Sequence, residues 1–145
     1  MSKISIKGAL VGGIVDVVSS VVLTMPISIY EVAKLSLSHT PKDQLGSMAA
    51  SALHGNASLY AMQLAIGLCC SMLGGYVAAR IAGHDELLNG AASATLCVVL
   101  GLFTIGFGMD SNPVWAQLLL LFASPAFGFL GGYMRIRQTS RLQPA

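Results

Sequence analysis

The chain has 145 residues, of which 54% are hydrophobic and only 10% are charged. Soluble domains carry about 25% charged residues, so this composition cannot cover a water-exposed surface. The net charge of +2 and the absence of a basic stripe argue against a nucleic-acid partner. We therefore expect an all-α polytopic membrane protein, with residues 1–145 forming a single four-helix transmembrane domain.

Four long stretches of the chain contain almost no Lys, Arg, Asp or Glu. A membrane-spanning helix needs about 20 mostly apolar residues, and a helix satisfies its own backbone groups in lipid. These stretches predict spans at about 8–30, 57–80, 88–108 and 114–134. The first is longer than the apolar part of a signal peptide, and no clear A-x-A cleavage site follows it, so we expect it to be retained.

The first span contains one acidic residue, Asp16, nine residues beyond Lys7. At 1.5 Å per residue it lies about 13 Å deep, near the middle of a core about 30 Å thick. A charge there costs roughly 2.5–3.5 kcal/mol, so we expect a neutral, hydrogen-bonded carboxyl that faces the bundle. It either ties helices together, serves as a proton or cation site, or contacts another subunit. Polar residues at a similar depth on other helices are Ser71, Thr95, Cys97 and Ser124.

Asp16, Ser71, Thr95 and Ser124 together form the candidate intramembrane polar site. Two prolines interrupt the spans that contribute to it. Pro26 is expected to end the first helix near its outer end, and Pro125 is expected to kink the fourth.

The connection over residues 31–56 carries signals for a short helix. Thr40, Pro41 and Asp43 have the spacing of an N-cap, a first-turn proline and a capping-box acid. Apolar residues then recur at helical spacing up to Gly55, a typical helix stop. The pattern predicts a short amphipathic helix on the outer membrane surface or over the bundle, the alternative being an ordered loop.

Basic residues predict the orientation, because cytoplasmic loops carry an excess of Lys and Arg. Two of the eight, Lys34 and Lys42, lie on one side, and the other six lie opposite. Both termini and the connection near His84 are therefore expected in the cytoplasm. The short turn at residues 110–113 is expected outside. The six residues on the cytoplasmic side are Lys3, Lys7, Arg80, Arg135, Arg137 and Arg141.

One motif, LGGYxxxR, occurs twice, at residues 73–80 and 130–137. Both copies close a span that runs from outside to inside. We therefore expect two tandem helical hairpins, a parallel repeat about an axis along the membrane normal. The first copy carries an insertion of about 25 residues, close to the length of the outer connection.

The glycines of this motif predict close helix packing without large cavities. The tyrosines suit the membrane interface, and each arginine lies one turn further along the same face. The expected helix-packing residues are Gly8, Gly12, Gly74, Gly75, Gly128, Gly131 and Gly132, and the expected interfacial anchors are Tyr76, Arg80, Tyr133 and Arg137.

No catalytic or cofactor motif is present in the sequence: HExxH, GxSxG, the P-loop and the dinucleotide fingerprint are all missing. The cysteines form no C-x-x-C pair and fall inside predicted spans, so we interpret them as small packing residues. We expect neither enzymatic activity nor a metal or cofactor site.

Residues 73–83, LGGYVAARIAG, followed by LLNGA at 87–91, resemble a loose group of small bacterial four-helix inner-membrane proteins of unknown function. These share a GGYxAxRxAG-type segment. The resemblance implies a bacterial cytoplasmic membrane, and no functional residue carries over from it.

Three functions remain open at this point. The first is a non-enzymatic structural, accessory or assembly component that acts through helix packing in the bilayer, as a homo-oligomer or in a larger complex. The alternative is a small homo-oligomeric transporter or channel that uses Asp16. A weaker third is lipid recognition by the interfacial Tyr and Arg pairs.

Overall fold

The computed structural model describes residues 4–37, 41–106 and 114–142. Within these residues the chain forms five α-helices and no strand. Four of them, α1, α3, α4 and α5, are long and apolar enough to cross a membrane, which confirms an all-α fold with four candidate membrane helices. The helices are α1 (Ile6–Leu37), α2 (Leu45–Gly55), α3 (Ala57–Ala82), α4 (Glu86–Gly106) and α5 (Val114–Leu142).

Helix α1 is longer than the sequence predicts. Pro26 does not end it, and the helix continues to Leu37. Proline is tolerated inside membrane helices because local adjustments of the helix and neighbouring groups can satisfy the freed backbone carbonyl. With 32 residues the helix is about 48 Å long, so its last turns extend beyond a core about 30 Å thick.

Helix α5 also exceeds its predicted length. It passes the expected end at residue 134 and continues to Leu142, with Pro125 inside it. The added turns carry three exposed or partly exposed cations. Because charged residues do not favour the hydrocarbon region, this end of α5 lies outside the apolar core. The three cations are Arg135, Arg137 and Arg141.

The helix within the connection, α2, begins later than the capping pattern predicts. Its N-cap is Gln44, without a side-chain cap. The Gln44 N–H donates to the Pro41 carbonyl at 3.0 Å, so the residues before Leu45 form a turn instead of the first helical turn. The predicted N-cap Thr40 lies outside the described residues, as does the predicted turn at 110–113.

The long helices pack in pairs. Helix α1 packs against α3 and α4, and α5 packs against the same two, while α3 also contacts α4. A two-fold axis along the membrane normal would relate α1 to α4 and α3 to α5. The observed contact between α3 and α4 would then require an equivalent contact between α1 and α5. Among the described residues α1 and α5 do not touch. The contact of α3 with α4 therefore breaks the two-fold symmetry that the repeated motif predicts, although α1 packs against α3 as α4 packs against α5.

The glycines explain this asymmetry, because the two copies of the motif face different neighbours. Gly74 faces α1, whereas its counterpart Gly131 faces α3. Gly75 faces α5, whereas its counterpart Gly132 faces α4. Equivalent residues would face equivalent helices in a symmetric repeat.

These glycine contacts are concentrated in one half of the bundle. We name the end where α1 begins and α5 ends the terminal end, and the opposite end, near α2, the loop end. A Cβ atom on Gly12 would lie 2.5 Å from the Gly74 carbonyl oxygen, and one on Gly74 would lie 2.6 Å from the Gly12 carbonyl oxygen. Glycine is required here because no side chain fits between the two backbones. Gly8 packs on Ala78 in the same way.

Substitution of these glycines provides a test. Gly74→Ala should destabilise the bundle by roughly 1–3 kcal/mol, since the added methyl group overpacks a backbone contact. Gly67→Ala, on the same helix, places its methyl group where no atom lies within 4 Å, so it should be neutral or stabilise by about 0.5–1 kcal/mol through helix propensity. Unfolding in mixed SDS and detergent micelles, followed by circular dichroism, measures both. Equal effects of the two substitutions would contradict the assignment.

Candidate functional site

A cavity opens between α1, α3, α4 and α5 where the close glycine contacts end. Its volume is about 210 Å³. The prediction of close packing without large cavities is wrong here, because the wall leaves open space where the Cβ atoms of Gly67 and Gly101 would lie. Gly67 has no atom within 4 Å of a Cβ position, and the nearest to Gly101 is a Leu121 methyl at 4.0 Å. The polar residues that line the cavity are Asp16, Ser20, Ser71, Cys97, Gln117 and Ser124.

Asp16 is the acidic residue of this cavity, and its side chain is only 2% exposed. The Cys97 thiol donates to its Oδ2 atom at 3.1 Å. The Ser20 and Ser71 side chains also interact with the carboxyl. The Ser71 hydroxyl lies 3.0 Å from the Ser124 hydroxyl, a buried hydrogen bond between α3 and α5. All four long helices therefore contribute to one polar cluster.

The partners of Asp16 in this cluster are neutral. Within the described part of the chain its carboxylate forms no ion pair; the ion pair found there joins His84 to Asp85 at the terminal end. A buried charge without a counter-ion is unfavourable. When Asp16 is ionised, its charge must therefore be balanced by something that enters the cavity, and otherwise it carries a proton.

Three of the four predicted site residues meet in this cavity: Asp16, Ser71 and Ser124. The fourth, Thr95, is exposed and lies in a groove on the outside of the bundle between α1 and α4. Successive residues of a helix are about 100° apart, so Thr95 lies about 200° from Cys97. Depth along α4 is nearly the same for both residues, but their faces are opposite.

The predicted site also omits two residues that line the cavity. Ser20 lies one helical turn beyond Asp16, and Gln117 lies two turns before Ser124. Helical spacing from the predicted residues therefore gives the signal for both, because positions four and seven apart share a face.

Different groups border the cavity toward the two ends of the bundle. Toward the terminal end, Gly12 meets Gly74 and Gly75 meets Gly128, one turn away from the polar cluster. Toward the loop end lies an aromatic cluster from three helices. The Tyr60 ring packs edge-on against His54 of α2 at 5.1 Å and against Trp115 of α5 at 6.3 Å, measured between ring centroids. The lining residues occupy the loop-end side of the glycine contacts.

The four predicted interfacial anchors behave differently in the two motif copies. In α5 the guanidinium of Arg137 lies 5.7 Å from the centroid of the Tyr133 ring, a cation–π contact. In α3, Arg80 is exposed, and the Tyr76 hydroxyl donates instead to the amide oxygen of Gln138 in α5.

Asn89, within the LLNGA segment, is a fully buried polar residue. Its Oδ1 atom accepts the Ser5 N–H at 2.7 Å. Its Nδ2 atom donates to the carbonyls of His84 at 2.9 Å and Asp85 at 3.1 Å. Asn89 thus fastens the start of α1 to the turn before α4, a structural role.

The chain matches no protein-family model, no curated protein and no solved structure. The resemblance to small bacterial four-helix membrane proteins stays a prediction.

Cysteine labelling tests whether the cavity holds water. We expect Gly67→Cys, in a chain with its native cysteines replaced by alanine, to react with a membrane-impermeant methanethiosulfonate reagent. Leu73→Cys, on the same helix, is the control, since Leu73 is 50% exposed on the outer surface of the bundle, where lipid excludes the charged reagent. Labelling is read by mass in intact vesicles. Equal labelling of both positions, or of neither, would show that water does not reach the cavity selectively.

Proposed function

We propose that the protein is a small membrane carrier or channel, in which the central cavity binds a small cationic or hydrogen-bonding solute at Asp16. The observation that carries this proposal is a buried carboxyl in a cavity of about 210 Å³ with neutral partners. Ionisable residues inside membrane spans commonly mark ion and substrate pathways.

The chemistry of the lining favours a particular class of solute. A carboxyl and several hydroxyl groups offer oxygen atoms, which are the ligands of hard cations. No Lys or Arg is among the lining residues, so an anion would find no compensating charge. A proton, an ammonium ion or a monovalent metal cation fits these groups.

The size of the cavity supports the same conclusion. At about 30 Å³ per molecule, the cavity holds roughly seven waters. Pockets for drug-sized ligands are commonly 300–1,000 Å³, which is larger. A small ion with part of its hydration shell fits the space, whereas a larger metabolite does not.

The packing on either side of the cavity indicates how a solute would pass. The lining residues lie on the loop-end side of the glycine contacts, so our proposal has the solute enter from the loop end. Passage to the terminal end requires Gly12 and Gly74 to separate. Because this contact is between backbones only, a small displacement of α1 relative to α3 breaks it without the rearrangement of long side chains.

The proposal also specifies the membrane in which the protein resides and the direction in which its helices cross it. The protein is a multi-pass protein of a bacterial cytoplasmic membrane, with the terminal end and both termini in the cytoplasm, as the distribution of Lys and Arg favours. Its two hairpins derive from a tandem repeat of LGGYxxxR. Helix α2 is an amphipathic cap at the outer surface: Ala49 and Leu53 are buried, while Ser47 and Ser51 are exposed.

A non-enzymatic accessory or assembly role is the second candidate. The observation that favours it is the closed glycine packing at the terminal end. In this case Asp16 ties α1 to α3 and α4, and the partner is a second copy of the chain or a larger membrane complex. Crosslinking in native membranes would then recover a defined complex, and flux would be absent.

Flux measurements decide between the two candidates. Proteoliposomes that contain a pH-sensitive dye, and in parallel a sodium- or potassium-sensitive dye, should show cation entry with the wild-type protein. Asp16→Asn keeps the size of the side chain but removes its charge, so flux should fall by about tenfold or more.

Ser93→Ala is the matched control. Ser93 is also buried and polar, but its hydroxyl donates to the Gly90 carbonyl of its own helix at 2.7 Å, and it is outside the cavity lining. Flux should be unchanged by this substitution. Absence of flux in the wild type, or equal flux with Asp16→Asn of the same circular dichroism spectrum, would overturn the transport proposal.

A further inference from the structure

A second concave surface lies at the terminal end of the bundle, away from the central cavity. Tyr76 of α3 forms one wall, and the last turns of α5 form the other. The volume of this groove is about 410 Å³. The groove is lined by Tyr76, Met134, Arg137, Gln138 and Arg141, which we name the terminal groove.

The terminal groove is basic. Arg137 and Arg141 are one turn apart on α5, so both guanidinium groups are on the same side of the helix. Both side chains are exposed, and within the described residues neither forms an ion pair. No acidic residue lines the groove. The two arginines therefore provide positive charge that the described part of the chain does not neutralise.

The polar wall of the groove is held by contacts between side chains. The amide oxygen of Gln138 accepts from the Tyr76 hydroxyl and from Nη1 of Arg135 at 3.4 Å. With its oxygen engaged, Gln138 has its amide nitrogen as the remaining donor. Arg137 is oriented by the Tyr133 ring at 5.7 Å. The groove thus combines two guanidinium groups and an amide donor, the groups that bind phosphate oxygens.

The position of the groove indicates the source of the phosphate. The hydrogen bond between Ser71 and Ser124 places these two residues at the same depth. Because α3 and α5 run in the same direction, Ala82 at the end of α3 lies at about the depth of Arg135 in α5. Helix α5 therefore projects about two turns past α3. The charge-free stretch of α5 ends at Met134, so the groove begins where lipid headgroups lie. Met134, which is 52% exposed, gives the groove an apolar edge toward the bilayer.

We propose that the terminal groove binds the phosphate of an anionic phospholipid headgroup, held by Arg137, Arg141 and Gln138. The lipid chains run along the apolar surface next to Met134. This site is independent of the central cavity, because it shares no residue with it. Its failure would leave the flux proposal untouched.

Lipid retention in the purified full-length protein tests the proposal. The protein is exchanged into detergent with equal phosphatidylglycerol and phosphatidylcholine, and bound lipids are counted by native mass spectrometry. The wild type should retain phosphatidylglycerol selectively. The double variant Arg137→Gln with Arg141→Gln should lower this retention by about tenfold, since each cation near a headgroup contributes to anionic lipid affinity.

The double variant Lys7→Gln with Arg80→Gln is the matched control. It removes the same charge from exposed residues at the same end of the bundle, but neither residue lines the groove. It should keep the selectivity of the wild type. Equal losses in both double variants would show that only net surface charge matters, and no loss in either would show that the groove binds no lipid; both results overturn the proposal.

Inorganic phosphate distinguishes the two possible sources of the ligand. A lipid site should keep its phosphatidylglycerol in the presence of millimolar phosphate at constant ionic strength, because the chains contribute to binding. Displacement of the lipid by phosphate, together with phosphate binding that Arg137→Gln with Arg141→Gln abolishes, would assign the groove to a soluble anion and overturn the lipid assignment. Circular dichroism confirms that all variants remain folded.

Discussion

The backbone contact between Gly12 and Gly74 is the constraint on which the rest of the structure depends. In a bilayer, lipid tails are as apolar as the helix surfaces, so helices associate through close van der Waals contact instead of hydrophobic burial. Small residues supply that contact at the terminal end. The same helices leave a gap toward the loop end, where no atom lies within 4 Å of a Cβ position on Gly67. The same helix arrangement therefore gives the bundle a tightly packed half at the terminal end and an open half toward the loop end.

The packing motif and the candidate site are physically coupled. A Cβ atom on Gly74 would lie 2.8 Å from the Cβ atom of Asp16, as well as close to the Gly12 backbone. The missing side chain of Gly74 therefore makes room for the acid itself. Asp16 is then held at the boundary between the packed half and the cavity, with its carboxyl toward Cys97 and Ser71. Any movement that opens the Gly12–Gly74 contact must also move the carboxyl.

The sequence predicts the parts of this structure that depend on composition and periodicity along one helix. Long charge-free stretches predict the four helices, and depth along each helix brings Ser71 and Ser124 to Asp16. The misplacement of Thr95 has a different cause, because depth carries no information on the helix face. The cavity could not be predicted at all: Gly67 and Gly74 are seven residues apart on α3, yet one faces empty space and the other a backbone. Only the neighbouring helix decides between a contact and a gap.

The repeated motif shows the same dependence on neighbours. Alignment of Gly8-Ala9 with Gly90-Ala91 makes Val98 of α4 the counterpart of Asp16 in α1, and both residues line the cavity. Two carboxyl groups in so small a space could not both ionise, because each negative charge raises the free energy needed to ionise the other. Because Val98 is apolar, the lining of the cavity holds a single carboxyl, that of Asp16. A single carboxyl carries at most one negative charge, which one proton is enough to neutralise.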